Sequence, residues 1–378
     1  DRVSVVAYDS IVETIVPSTK VLNKEKIISS ISRIYSRGMT ALYEGWLTGA
    51  EQVARHKNVN SINRVLLLSD GCANEGPSSI PEIVPQCSKL AETGVTTSTY
   101  GLGGHFNEEL MIAMANSGLG KGYYGQTAQD LEDPFREEFE LLVNTMATNV
   151  EVFVKYPGFV KLELLNRYPG QDPKWKLPDL AYEGEAWALF KLSVLEKNVK
   201  KCEKVDLLKS HITYKDLEGK LVKTPVETIR LKPVDENAFG AVLENSEIKS
   251  RIAEIRAATL QDHARVAAQQ GDWEGVDNII LKAKNEAGEN AWIQETLSNL
   301  KKYSERRDRQ AFSKEASYSS DKFRNRLSHS SNESYASYDF SEEIIKPAYL
   351  RRKQEQGKKM AGGRSSSFFG GRNGGGSQ

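Results

Sequence analysis

The sequence predicts an α/β domain built on a parallel sheet, followed by an antiparallel β-sandwich, a small helical bundle and a disordered tail. Three observations carry this prediction. Strand-like apolar runs alternate with helical periodicity up to about residue 146, which is typical of a parallel sheet with crossover helices. Residues 149–235 alternate apolar and polar side chains with a period of two. Helical periodicity returns over residues 245–304.

The first domain is predicted over residues 1–146. Its opening helix is indicated by Ile27, Ile31 and Ile34, which recur at helical spacing. The apolar run at 64–69 is typical of a strand that is buried on both faces. In chain order we predict strands at 3–8 and 11–16, helices at 23–35 and 41–56, a strand at 64–69, a helix at 79–93, a strand at 95–100 followed by a loop at 101–104, a helix at 107–117, a strand near 122–124 and a helix at 128–146.

The second and third domains are predicted over residues 149–235 and 245–304. Val150, Val152 and Val154 alternate with Glu151, Phe153 and Lys155, as in a strand. Further strands are predicted at 159–165, 185–196, 205–214 and 220–232. In the helical part, Ile248, Ile252 and Ile255 lie on one face, Gly271 ends a helix and Asp272 caps the next.

The composition excludes several classes of protein. The chain of 378 residues carries 51 basic and 51 acidic residues, which argues against a nucleic-acid binder that is basic throughout. The sequence contains no run approaching the about 20 apolar residues that span a bilayer, so we predict no transmembrane segment. Three cysteines are too few for a disulfide framework or a zinc cluster. Free thiols favour a cytoplasmic location, although an export signal upstream of Asp1 would reverse this.

A disordered, Ser/Gly-rich basic tail is predicted over residues 306–378. Only 39% of the chain is hydrophobic, and this tail accounts for part of the deficit. From Lys346 onward it contains eight basic residues and one acidic residue, Glu355. Two interpretations stay open, a site for an acidic partner and a solvated chain end.

Two segments of the first domain carry the candidate site. In the first, Gly38 precedes Thr40, whose hydroxyl lies just before a helix. In the second, the buried strand at 64–69 ends in Asp70 and Gly71. Ligands of open α/β sheets bind at the carboxyl ends of the strands, where this Asp lies. Hydroxyl and carboxylate oxygens suit a hard cation, so Thr40 and Asp70 are candidate ligands of Mg²⁺, with Mn²⁺ or Ca²⁺ as alternatives.

In this order, the segments DRVSVVAYDS, RGMTALYEG, RVLLLSDG, GVTTSTYGLG and GYYG resemble the von Willebrand factor type A family, over residues 1 to about 146. The resemblance implies a Rossmann-like fold of bacterial type and an adhesion site that binds a metal ion. That site would use Thr40 as a direct ligand and Asp70 as a ligand through water. It also implies an adaptor that binds an Asp or Glu of a partner protein, and it implies no enzymatic activity.

The sequence departs from the family pattern at the start. The family places an Asp-x-Ser-x-Ser loop after its first strand, and residues 1–39 contain no such loop. We therefore expect an N-terminally truncated domain whose first strand, first helix and half of the metal site precede Asp1. The alternative is a degenerate domain that binds no metal and serves as a scaffold through the β-sandwich and the helices.

Catalytic and nucleotide sites are not supported. The glycines Gly101, Gly103 and Gly104 follow a strand, but their spacing does not match a dinucleotide-binding loop. The only histidine near the same sheet edge is His105, and no nucleophile elbow accompanies it. Cys72 is predicted to be a small loop side chain, because no base is identifiable near it. The chain is thus predicted to be an interaction protein rather than an enzyme.

Overall fold

In a computed structural model, the structure describes residues 1–35, 38–58, 61–182, 184–195, 204–288, 290–325 and 327–329. The first part of the chain alternates strands and helices. Its elements are β1 (Arg2–Tyr8), β2 (Val12–Lys20), α1 (Lys24–Ile31), α2 (Leu42–Ala54), β3 (Asn63–Gly71), α3 (Ile80–Glu92), β4 (Val95–His105), α4 (Glu108–Ser117), β5 (Leu119–Gly125) and α5 (Glu132–Asn144).

The sheet of this first part is divided into two pieces. Strands β3, β4 and β5 form a parallel sheet in that order, which confirms the predicted α/β class. Strands β1 and β2 form a separate antiparallel hairpin. Helix α2 packs against both pieces, with Trp46 buried on the sheet. Among the described strands, neither β1 nor β3 hydrogen-bonds to a strand on its remaining edge.

One predicted boundary is wrong in a way that affects the site. We predicted a loop at 101–104, but β4 continues to His105. The extension is held on both sides, because His105 pairs with Gly71 of β3 and Leu102 pairs with Gly125 of β5. This pairing joins segments that are distant in the sequence, so the local composition, which is rich in glycine, could not predict it.

The next part of the chain consists of antiparallel strands, as predicted. They are β6 (Thr145–Lys155), β7 (Val160–Leu164), β8 (Gly170–Gln171), β9 (Lys174–Lys176), β10 (Leu180–Ala181), β11 (Gly184–Ala186), β12 (Phe190–Val194), β13 (Val205–Lys215), β14 (Leu221–Lys223) and β15 (Glu227–Leu231). The valines that alternate along β6 are buried against Trp175 and Leu208, and Phe190 of β12 packs on the same core. The assignment of these strands to a β-sandwich domain at 149–235 stays a prediction.

Helices make up most of the remaining described chain. They are α6 (Glu236–Gly240), α7 (Ser246–Gln270), α8 (Trp273–Ala287), α9 (Ala291–Glu305) and α10 (Arg309–Arg324), followed by the short strand β16 (Leu327–His329). Gly271 ends α7 with a φ of 79°, and the Asp272 side chain accepts a hydrogen bond from the Gly275 N–H at the start of α8. The helices α7 to α10 share one apolar core. None of the described helices has the length and apolarity needed to cross a membrane.

The prediction of a disordered tail from residue 306 is wrong for residues 309–324. These residues form α10, whose apolar side chains Phe312, Ala316 and Phe323 enter the helical core. They lie four and seven residues apart, which places them along one face of a helix. The Ser-rich composition concealed this spacing. Residues 330–378, including the basic segment from Lys346, lie outside the described residues.

Candidate functional site

The structure places Thr40 beside Gly71, the last residue of β3. A Cβ atom added to Gly71 would lie 3.0 Å from the Thr40 Oγ1, so a side chain here would require Thr40 to shift by a few tenths of an ångström. The Thr40 N–H donates to the Asn74 Oδ1 over 2.7 Å, and the Asn74 N–H donates to the Thr40 carbonyl over 3.2 Å. These reciprocal bonds fix the Thr40 segment to the segment that follows Asp70.

The hairpin of β1 and β2 contributes the residues on the other side of Thr40. The Ala41 N–H donates to the Asp9 carbonyl over 2.8 Å, and the Met39 N–H donates to the Ser10 hydroxyl over 2.9 Å. Thr40 is thus held from both sides, by the end of β1 and by the segment after β3. This arrangement places the Thr40 segment at the carboxyl end of β3, whose last two residues are Asp70 and Gly71.

Tyr8 spans the interval between the hairpin and the parallel sheet. Its phenol donates a hydrogen bond to the Leu68 carbonyl, and its ring lies against Gly45 of α2, where an added Cβ would approach the Tyr8 Cγ to 2.4 Å. Burial raises the pKa of Tyr8 to about 12; a hydrogen bond with Ser69 opposes this shift and the charge of Asp70 adds to it. Tyr8 is therefore a protonated donor at neutral pH, next to the predicted metal ligand.

The end of β4 forms a third border of the site. His105 pairs with Gly71, and the Cys72 Sγ lies 2.9 Å from the His105 carbonyl, to which it donates. Phe106, which follows, is 2% exposed, and its ring fills the space beside Gly101. Cys72 and His105 thus hold the end of β4 to the end of β3 and the segment after it.

The structure brings the end of β3, with Asp70 and Gly71, next to Thr40. Tyr8 and Asn74, which sequence analysis missed, also border the candidate site. Tyr8 carried no signal, because its role depends on the distance between two pieces of sheet. The described residues contain no group of three or more His, Cys, Asp or Glu that could hold a metal ion. The donor set fits a hard cation in kind, since Thr40 and Asp70 offer oxygens, but it supplies only part of a coordination shell.

Comparison with known proteins identifies the first part of the chain. Residues 1–137 match the sequence model of the von Willebrand factor type A domain. The chain is 28% identical over 159 residues to the protein sll0103 of Synechocystis sp., which covers 41% of this chain and 36% of the relative. It is 28% identical over 162 residues to YfbK of Escherichia coli, which covers 42% of this chain and 28% of the relative. The chain thus spans about a third of the length of these curated relatives.

Two solved structures share the fold over most of the chain. A von Willebrand factor type A protein of Catenulispora acidiphila aligns with a TM-score of 0.62 and 14% identity, covering 79% of this chain and 73% of that protein. The VWA2 protein of Sulfolobus acidocaldarius, described as a paralog of ArnB, aligns with a TM-score of 0.52 and 16% identity, covering 86% and 78%. At these identities the similarity concerns the fold alone.

Proposed function

Because residues 1–137 form a von Willebrand factor type A domain of bacterial type, we propose that the chain is a protein–protein interaction module whose sheet edge takes part in binding a divalent cation. Thr40 and Asp70 are the proposed ligands. One observation supports this assignment above the others: the Thr40 hydroxyl lies against Gly71, the residue next to Asp70.

The chemistry of the edge agrees with this proposal. When bound, a divalent cation supplies a coordination position that a carboxylate of a partner protein can fill. Thr40 is oriented by its bonds to Asn74, so its hydroxyl can offer an oxygen without a change in the backbone. Tyr8 keeps its proton at neutral pH and donates a hydrogen bond to the Leu68 carbonyl, so the phenol brings no negative charge to the edge. Mg²⁺ is the proposed ion and an Asp or Glu side chain the proposed partner group.

The first test is a titration of the chain with Mn²⁺, in which electron paramagnetic resonance measures the free ion. We expect Thr40→Ala and Asp70→Asn each to weaken Mn²⁺ binding about tenfold or more, since the first removes a hydroxyl oxygen and the second removes the negative charge of the carboxylate. Thr48→Ala removes the same side-chain atoms from a position within α2, away from the edge, and is the matched control that leaves the affinity unchanged. Equal Mn²⁺ affinity of the wild type and the first two variants would rule out these ligands.

A second candidate function is a scaffold that binds partners without metal. The incomplete ligand set among the described residues favours it. In this case the β strands and the helices α7 to α10 present the binding surface. A partner protein that binds the wild type and Thr40→Ala equally in the presence of EDTA supports the scaffold. Loss of that binding in EDTA supports the cation site.

Both candidates are binding functions, in agreement with contacts that give His105 and Cys72 structural roles at the edge. The basic segment from Lys346 remains a proposed site for an acidic partner. The scarcity of cysteines favours a cytoplasmic location, which fractionation of cells that express the chain tests directly.

A further inference from the structure

Helix α10 holds the border of the candidate site on both sides of His105. The side-chain amide of Gln310 donates to the Gly104 carbonyl, and the Lys314 Nζ donates to the Phe106 carbonyl over 2.8 Å. His105, between these two anchors, pairs with Gly71 in the sheet. A continuous set of contacts therefore connects α10 to the end of β3, where Asp70 lies.

Lys314 is the stronger of the two anchors. Its side chain is 2% exposed, and its Nζ lies 3.0 Å from the Glu108 Oε2 and 3.8 Å from the centre of the Phe106 ring. A buried ammonium is costly unless it is paired, so the buried position of Lys314 depends on these contacts. The Ser313 hydroxyl donates to the other oxygen of Glu108 over 2.7 Å, which fixes the carboxylate as well.

The charge of Glu108 agrees with this pairing. Burial disfavours its ionised form, but the hydrogen bond from Ser313 and the charge of Lys314 outweigh that effect and hold the pKa of Glu108 below its ordinary value. Glu108 begins α4, directly after Phe106 and the Asn107 cap. The ion pair thus fixes the start of α4 and the end of β4 to the same side chain of α10.

We propose that α10 positions the candidate site: Lys314 and Gln310 hold residues 104–106 in register with Gly71, and this fixes the geometry of Asp70. The consequence for cation binding rests on the function proposed above. The positioning role itself does not, because it concerns the order of the backbone at the edge. Helix α10, which has the composition of a tail, would therefore position a site that is distant in the sequence. Gln310 and its partner Gly104 are 206 residues apart.

The experiment measures hydrogen exchange of the whole chain in the absence of metal. We expect Lys314→Met to speed exchange of the amides at 69–74 about tenfold, because a charge-assisted hydrogen bond that holds the border is lost. Lys322→Met is the matched control: it carries the same substitution on the same helix, about 12 Å further along the axis, where its Nζ lies over the Tyr123 ring. It should leave exchange at 69–74 unchanged.

A second pair of variants separates positioning from a loss of stability. Phe323→Ala removes a buried side chain from the helical core and destabilises the chain without touching residues 104–106. When the two variants are compared under conditions of equal stability, set from their urea midpoints, we expect Lys314→Met to speed exchange at 69–74 more than Phe323→Ala does. Gln310→Ala, at an exposed position, should speed it with little change in stability. Equal exchange at 69–74 in Lys314→Met and Phe323→Ala would overturn the proposal.

Titration with Mn²⁺ gives an independent result. If the wild type binds Mn²⁺, Lys314→Met should bind it several-fold more weakly than Lys322→Met, and equal affinities would count against positioning. If the wild type binds no Mn²⁺, the proposed cation site fails, and hydrogen exchange alone decides whether α10 orders the edge.

Discussion

Replacement of Phe312 by Ala tests the main correction to the sequence analysis, the packing of α10. Phe312 is 0% exposed, and its ring meets Trp273 edge to face, with centroids 6.0 Å apart and an interplanar angle of 89°. Burial of such a side chain contributes about 1.5–3 kcal/mol. The aromatic contact adds about 0.5–1.5 kcal/mol. With the cavity left behind, we expect Phe312→Ala to lower the free energy of unfolding by about 3–5 kcal/mol.

Urea unfolding followed by tryptophan fluorescence and by circular dichroism measures this loss. Phe239→Ala is the control, because Phe239 is 70% exposed and the same atoms are removed without a cavity. We expect the control to change the free energy of unfolding by less than about 0.5 kcal/mol. With a slope of about 1–3 kcal/mol per M, the Phe312→Ala midpoint should fall by roughly 1 M or more. Equal, small shifts in both variants would show that residues 309–324 do not pack as α10.

Three further predictions concern buried ionisable groups. Burial raises the pKa of Asp321 despite the hydrogen bond from Asn116, so folding favours the protonated form of this side chain. The free energy of unfolding of the wild type should therefore fall as pH rises through that pKa. Asp321→Asn should remove this fall, which urea midpoints measured across pH will test. Burial opposes ionisation of Glu138, but Arg64 holds its pKa below the ordinary value, so the stability that this carboxylate contributes is present at neutral pH and is lost on acidification below about 4.5. Glu138→Gln leaves the Arg64 guanidinium poorly paired and should cost about 3 kcal/mol at pH 7, measured by urea unfolding; an unchanged midpoint would contradict the pairing. Burial raises the pKa of the Cys87 thiol to about 12, whereas Cys72 is exposed, so peptide mapping after alkylation of the native chain should find Cys72 modified and Cys87 protected until unfolding.

The sequence predicts the parallel part of the fold and the place of the site, because both depend on local patterns. The apolar run at 64–69 identifies β3, in which Asp70 is the last residue but one, although the expected burial on both faces is wrong because Leu68 is 45% exposed. Since ligands of such sheets bind at the carboxyl ends of strands, the pattern also predicts the edge at which Asp70 lies. Thr40 belongs to the same edge because the segment before α2 returns there, as its bonds with Asn74 show.

The contributions of Tyr8 and of the end of β4 could not be predicted in this way. Tyr8 acts across the interval between β1 and β3, and its partner, the Leu68 carbonyl, lies 60 residues away. The glycines at 101–104 have the composition of a loop, but hydrogen bonds to Gly71 and Gly125 keep them in the sheet. In both cases tertiary contacts override a local preference, which no periodicity in one segment reveals.

Helix α10 shows why composition misled the prediction for residues 306–324. A polar segment stays disordered when it cannot bury enough apolar surface to offset its loss of chain entropy. This helix adds the burial of Phe312 and Phe323 to hydrogen bonds that satisfy two of its serine hydroxyls: the Ser319 hydroxyl donates to the Gln261 Oε1 over 2.6 Å and the Ser313 hydroxyl to Glu108 over 2.7 Å. Those acceptors lie 58 and 205 residues away. Low apolar content therefore predicts disorder correctly only where no other part of the fold offers hydrogen-bond partners. Here α4 and α7 offer such partners to α10 on two sides.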